Sequence, residues 1–131
     1  MKKRDYKLFI KDIVTRLPDY AVAQIVDNIL DNAFYWLSTK TQKHGRKILI
    51  HFDENKNTML ITNNGPALTP NIKKNLFILP FVTAKQHGRG LGMYITSEIL
   101  NMYGGRINVE SPEEDKRVMS IGFLIYFPSK K

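Results

Sequence analysis

Three groups of residues in this chain are of the types and spacings that handle anionic ligands. The first is a stripe of amides. Gln24, Asn28 and Asn32 recur every four residues, so on a helix they share one face, with Asp31 and Tyr35 beside them. Asparagine inside a helix costs about 0.5–0.7 kcal/mol against alanine, so two of them one turn apart need a reason. One reason is a solvated helix face. The other is a cavity in which their carbonyl oxygens meet a hard cation and its phosphates; magnesium takes such oxygen ligands and keeps several waters. The helix by itself leaves both open.

The second group is Ile61-Thr62-Asn63-Asn64-Gly65-Pro66-Ala67-Leu68. Here a strand runs into a tight turn holding a side-chain amide and a glycine. Glycine lets backbone approach a flat ligand closely, although an ordinary β-turn has the same composition. The third is Thr83-Ala84-Lys85-Gln86-His87-Gly88-Arg89-Gly90-Leu91-Gly92. Its glycines free backbone N–H groups to reach a phosphate, and a following helix would present its positive end to the same anion. Lys85, Arg89 and His87 add charge. The stretch has neither the lysine–serine/threonine ending of a P-loop nor the dinucleotide spacing.

The elements that must position these groups follow from hydrophobic period. Lys7–Ile13 alternates loosely and reads as a first strand. Val22, Ile25, Val26, Ile29, Leu30, Ala33 and Leu37 predict a helix over Asp19–Ser38, with Asp19 as its cap. Lys47–Phe52 and Thr58–Thr62 read as a hairpin around residues 53–57. A short helix is expected after Pro70. A second long helix is expected from the glycine-rich stretch to Tyr103, stopped by Gly104-Gly105. Arg106–Glu110 and Val118–Phe127 read as closing strands. Strands plus two long helices predict an α/β (α+β) two-layer sandwich, with a mixed, mostly antiparallel sheet and helices on one face.

Bulk properties bound the partners. The 131 residues fit one domain. Twenty Lys+Arg against twelve Asp+Glu give a net charge of +8, which favours anionic partners without choosing among them. No basic stripe interleaved with aromatics is present, so nucleic acid is not expected. The longest apolar run, Leu76 to Val82, is broken by Pro80 and too short to span a bilayer, and no membrane contact is expected. The chain has no cysteine, which excludes thiol catalysis and cysteine-bound zinc and fits a cytoplasmic setting.

Taken in order, the three groups resemble the histidine-kinase-type ATP-binding fold of the GHKL, or Bergerat, superfamily. The resemblance runs from Asp19 to Pro128. Asn28-Ile29-Leu30-Asp31-Asn32-Ala33 resembles the N-box, and Asn63 to Leu68 resembles the first glycine box. Leu79-Pro80-Phe81-Val82-Thr83-Ala84-Lys85 is similar to the phenylalanine box. Gly88-Arg89-Gly90-Leu91-Gly92-Met93-Tyr94-Ile95 is similar to the second glycine box. The resemblance implies ATP and Mg2+ as ligands. It implies that Asn32 coordinates the metal with Asn28 supporting it, and that Tyr35 and Trp36 lie beside the nucleotide. Asn63 would recognise the adenine amino group, with Gly65 letting the base approach and Ala67 in place of the box's third glycine. Thr83 and Lys85 would border a very short lid, and Gly88, Arg89, Gly90, Leu91 and Gly92 would cradle phosphates.

Two departures matter. Hydrolytic members of the superfamily carry a glutamate where this chain has Asn28. An amide cannot serve as the general base on water, which favours transfer of the γ-phosphoryl group to a histidine. His44, His51 and His87 all lack the family's acceptor context, so the acceptor is expected on another domain or protein, and the isolated domain is expected to be a monomer. At the base, Asn63 replaces the usual aspartate and loses charge assistance. Gly122 stands where a threonine is often found near the start of the last strand. These two changes also fit a degenerate module, with weak or altered nucleotide binding, used for protein interaction or regulation. A hydrolytic ATPase is the third reading, opposed by Asn28.

Overall fold

The computed structural model describes residues 13–38, 45, 47–65, 70, 91–110 and 121–130, without the side chains of Trp36, Ser38 and Leu91. The expected first strand over Lys7–Ile13 lies outside them except for Ile13, and so does the short helix expected after Pro70.

Helix α1 spans Asp19–Ser38. Its apolar positions are buried as the period requires: Val22, Ile25, Val26, Ile29, Leu30, Ala33 and Leu37 are each at most 6% exposed. The helix has the expected limits, but its cap lies one residue before the expected Asp19. The carbonyl of Pro18 accepts from the N–H groups of Ala21 and Val22 at 2.9 and 3.1 Å, so Pro18 is the cap. Asp19 sits in the first turn, where its charge meets the positive end of the helix dipole.

Strands β1 (Ile48–Asp53) and β2 (Thr58–Asn63) form the expected hairpin. Its turn is closed by Asp53, whose Oδ1 accepts from the N–H groups of Asn55 and Lys56 at 3.0 and 3.2 Å. Asn57 takes a φ of 52°, a left-handed conformation that asparagine tolerates. Helix α2 covers Leu91–Met102. It ends in a Schellman motif: Gly105 N–H donates to Leu100 C=O at 2.8 Å and Gly104 N–H to Asn101 C=O at 3.2 Å, with Gly104 at φ 85°. Strands β3 (Arg106–Glu110) and β4 (Ile121–Tyr126) follow.

The sheet order is β1-β2-β4-β3, and every described pairing is antiparallel. Register then assigns the faces, because side chains alternate along a strand. Met59, Ile61 and Asn63 of β2 lie opposite Ile125, Phe123 and Ile121 of β4. These residues face α1 and α2, and their apolar members join both helices in one core. Thr62, Leu60, Gly122 and Leu124 take the other face. Each fully buried side chain of the size of Phe123 or Ile25 stabilises the fold by about 1.5–3 kcal/mol relative to exposure. Helices on one face of an antiparallel sheet are the two-layer arrangement expected from the sequence.

Candidate nucleotide site

The amide stripe of α1 does not behave as a uniform solvated face. Gln24 is exposed, whereas Asn28 and Asn32, one and two turns further on, are half-buried. Asn28 is anchored across the helix pair. Its Nδ2 donates to the carbonyl of Gly92 at 3.2 Å and to Thr96 Oγ1 at 3.1 Å. The Thr96 hydroxyl in turn donates to Gly92 C=O at 2.8 Å. The first turn of α2 is thereby fixed against the middle of α1, and two of the three sequence groups meet. Asn32 shares the face of Asn28 by its i,i+4 spacing. Tyr35 is half-buried beside it, and Asp31 is exposed.

Asn63 closes β2 on the helix-facing side of the sheet and is 1% exposed. Its Oδ1 accepts the N–H of Gly65 at 2.9 Å, an Asx-type turn that holds the chain as it leaves the strand. Gly65 is itself buried. The neighbouring amide does different work. Asn64 Oδ1 accepts the N–H of Lys47 at 2.8 Å, and its Nδ2 donates to the carbonyl of Gly45. It extends the β1–β2 pairing by side chain, beyond Ile48↔Asn63. Helix α1 packs on both β2 and α2, so the helix bearing Asn28 and Asn32 touches the strand ending in Asn63 and the helix carrying Gly92.

The role expected of Gly122 needs correction. Gly122 pairs with Thr62, not with Asn63, and therefore lies on the sheet face away from the helices. A Cβ built on it would meet Thr62 Cγ2 at 3.0 Å and Leu60 Cδ1 at 3.1 Å, both on that outer face. The residue across from Asn63 on the helix side is Ile121, 2% exposed. An offset of one residue moves a side chain to the other face. The absence of a threonine at 122 thus removes nothing from the side of the sheet on which Asn63 lies.

His51 is exposed on β1, in register with Leu60, and belongs to the same outer face. Ala67, Thr83, Lys85, Gly88, Arg89 and Gly90, together with His44 and His87, lie outside the described residues, as do the side chains of Trp36 and Leu91. The residue that the sequence did not single out is Thr96. It is 0% exposed and falls between buried Met93 and Leu100 on the inner face of α2. A hydroxyl at helical core spacing was the available signal, because buried polar groups need a partner.

Chemically, this arrangement offers hard amide oxygens on α1 and a buried amide at the end of β2. Among the described residues no three His, Cys, Asp or Glu side chains cluster as metal ligands. A cation held here would take amide oxygens, water and ligand phosphates, a donor set that suits magnesium.

Comparison with known proteins gives the chain's family and fold. A family model described as histidine kinase-, DNA gyrase B-, and HSP90-like ATPase matches residues 19–130. The C4-dicarboxylate transport sensor protein DctB of Rhizobium meliloti is 36% identical over 90 residues, 67% of this chain and 14% of that protein. The sensory histidine kinase/phosphatase NtrB of Vibrio alginolyticus is 31% identical over 120 residues, 83% of this chain and 33% of that protein. The chain thus spans a third or less of the length of these curated relatives. Among solved structures, the mycobacterial sensor histidine kinase MprB superposes with a TM-score of 0.66 at 21% identity, covering 87% of this chain and 74% of that one. The catalytic domain of histidine kinase ThkA does so with a TM-score of 0.60 at 24% identity, covering 86% and 68%.

The fold is that of a histidine-kinase-type ATP-binding domain. The chain belongs to the histidine kinase-, DNA gyrase B-, and HSP90-like ATPase family. Among the described residues, no helix is long and apolar enough to cross a membrane.

Proposed function

We propose that this domain binds Mg-ATP and supplies its γ-phosphoryl group to a histidine on another domain or protein. The observation that carries this reading is the state of Asn28. It is an amide whose nitrogen is committed to Gly92 C=O and Thr96 Oγ1. A group with no useful basicity cannot activate water, so phosphoryl transfer to a better nucleophile is favoured over hydrolysis. Magnesium, when bound, neutralises charge on the β- and γ-phosphate oxygens. Asn32, supported by Asn28, would hold it. Gly88–Gly92, Lys85 and Thr83 would bind the phosphates, and Asn63 with Gly65 would meet the base, flanked by Tyr35, Trp36 and Ala67.

His51, on the sheet face turned away from both helices, does not serve as the acceptor in this reading. The relative named as a sensory histidine kinase/phosphatase supports an acceptor histidine outside this chain. The domain would act in the cytoplasm and be monomeric in isolation.

The replacement of aspartate by Asn63, buried at the base end, favours a second reading: a regulatory module with weakened nucleotide binding. Thermal unfolding with ATP, ADP and GTP, each with and without Mg2+, separates the two. A ligand at a hundred times its Kd adds about 2.7 kcal/mol. A magnesium-dependent shift with ATP supports the kinase reading, and its absence with every nucleotide leaves the regulatory module. Steady phosphate release by the isolated chain would instead indicate an ATPase.

A further inference from the structure

We propose that Thr96 is a positioning residue for this site: it locks the Asn28 side-chain amide in one orientation, with Nδ2 spent on α2 and Oδ1 left for the cation and phosphate side. The proposal rests on the nucleotide reading above for its consequence, but not for the lock itself.

A threonine 0% exposed, between buried Met93 and Leu100, occupies a position that valine would fill without desolvating a hydroxyl. Its hydroxyl is fully used. The proton goes to Gly92 C=O at 2.8 Å, so Oγ1 can only accept from Asn28. Gly92 C=O can also only accept. Asn28 therefore meets two acceptors, at 3.1 and 3.2 Å, and the atom facing them must be the N–H-bearing one. A flipped amide would set Oδ1 against the Gly92 carbonyl and keep only a bond from the Thr96 hydroxyl, which would then have to leave Gly92 C=O.

The chosen orientation leaves Oδ1 beside Gly92, 3.7 Å from where a Cβ there would stand. Glycine at 92 sets no methyl against that oxygen. Thr96 thus reaches the ligand only through Asn28. Together with Gly92 C=O it fixes which end of an otherwise symmetric-looking amide is offered.

The test uses the full chain with Thr96→Val, which keeps the volume but removes the acceptor, and Thr96→Ser, which keeps the acceptor. In the nucleotide-free protein, the Asn28 side-chain NH2 signals are followed by 1H–15N NMR. In parallel, ATP affinity is measured with Mg2+ and with EDTA. The expected result is slowed exchange of the Asn28 amide protons in wild type and Thr96→Ser, lost in Thr96→Val. The ratio of affinities with and without Mg2+ should fall about three- to tenfold in Thr96→Val, roughly the worth of one hydrogen bond, with the EDTA affinity unchanged and Thr96→Ser like wild type.

Wild-type amide signals in Thr96→Val overturn the lock. Equal losses in both variants do so too, since they would point to packing. A wild-type protein without magnesium dependence contradicts the nucleotide reading alone, and the amide signals then decide the role of Thr96 by themselves.

Discussion

The side chain of Asn28 donates to the backbone carbonyl of Gly92, 64 positions along the chain, at 3.2 Å. That bond joins the middle of one helix to the first turn of the other, so the amide stripe and the end of the glycine-rich stretch form one surface. Four changes in sequence test how that surface and its support are built.

Gly92→Ala should fold normally and bind nucleotide less well. The added methyl would lie 3.6–3.8 Å from Asn28 Cγ, Oδ1 and Cβ, ordinary contact that needs no rearrangement. Alanine is better than glycine in a helix by up to about 1 kcal/mol, so the unfolding midpoint should hold or rise. The same methyl covers Asn28 Oδ1, and ATP affinity measured by calorimetry should drop several-fold.

Gly105→Ala should behave in the opposite way, losing stability by about 2–3 kcal/mol through overpacking. Its Cβ would stand 2.6 Å from the Tyr126 carbonyl oxygen and 2.9 Å from Pro128 Cδ, where backbone cannot give way cheaply. Urea denaturation measures this, with Gly45→Ala as the control. Gly45, unlike Gly105, has a positive φ, of 81°, and among the described residues nothing lies within 4 Å of its Cβ position, so only the backbone strain of about 1–2 kcal/mol should appear.

Asn63→Asp should sharpen base selection. The carboxylate can keep the bond from Gly65 N–H and gains charge assistance toward an amino group. ATP affinity should rise relative to GTP by about tenfold, as read from competition binding. The nucleotide-free protein should melt lower, because a charge placed at a position now 1% exposed is desolvated.

Gly122→Thr should leave nucleotide affinity unchanged. The new side chain would point at Thr62 and Leu60 on the outer face, not toward Asn63. A change in ATP affinity beyond about twofold, without loss of fold, would contradict the assigned register; that margin is near the low end of a hydrogen bond's worth.

Much of this architecture was legible in the sequence because its elements repeat with clear periods. Eight buried positions of α1, from Ala21 to Leu37, follow the helical period. The hairpin strands around Asp53 and Asn57 match their expected limits to within a residue. The pairing of Asn28 with Asn32 on one face follows from a spacing of four. What could not be read was contact across elements. Thr96 is one of three hydroxyl residues in α2, with Tyr94 and Ser97, and only the approach of α1 shows that it faces Asn28. The family resemblance sets Gly122 beside the base but does not carry the strand register, and in a strand one residue exchanges the faces. Asn63 and Asn64 are chemically identical neighbours. Their division into a turn that buries Asn63 and a tether to β1 at Asn64 depends on Lys47 and Gly45, which chain order does not bring near.

The central claim is that the junction of α1 with the start of α2 is a magnesium-nucleotide site that transfers rather than hydrolyses. Its most direct test is thermal unfolding of the full chain with ATP, in Mg2+ and in EDTA, with phosphate release followed in the same samples. The account predicts a stabilisation by ATP that is larger in Mg2+ than in EDTA, with no steady phosphate release. Equal melting with and without Mg2+ for every nucleotide, or sustained release of phosphate, would contradict it.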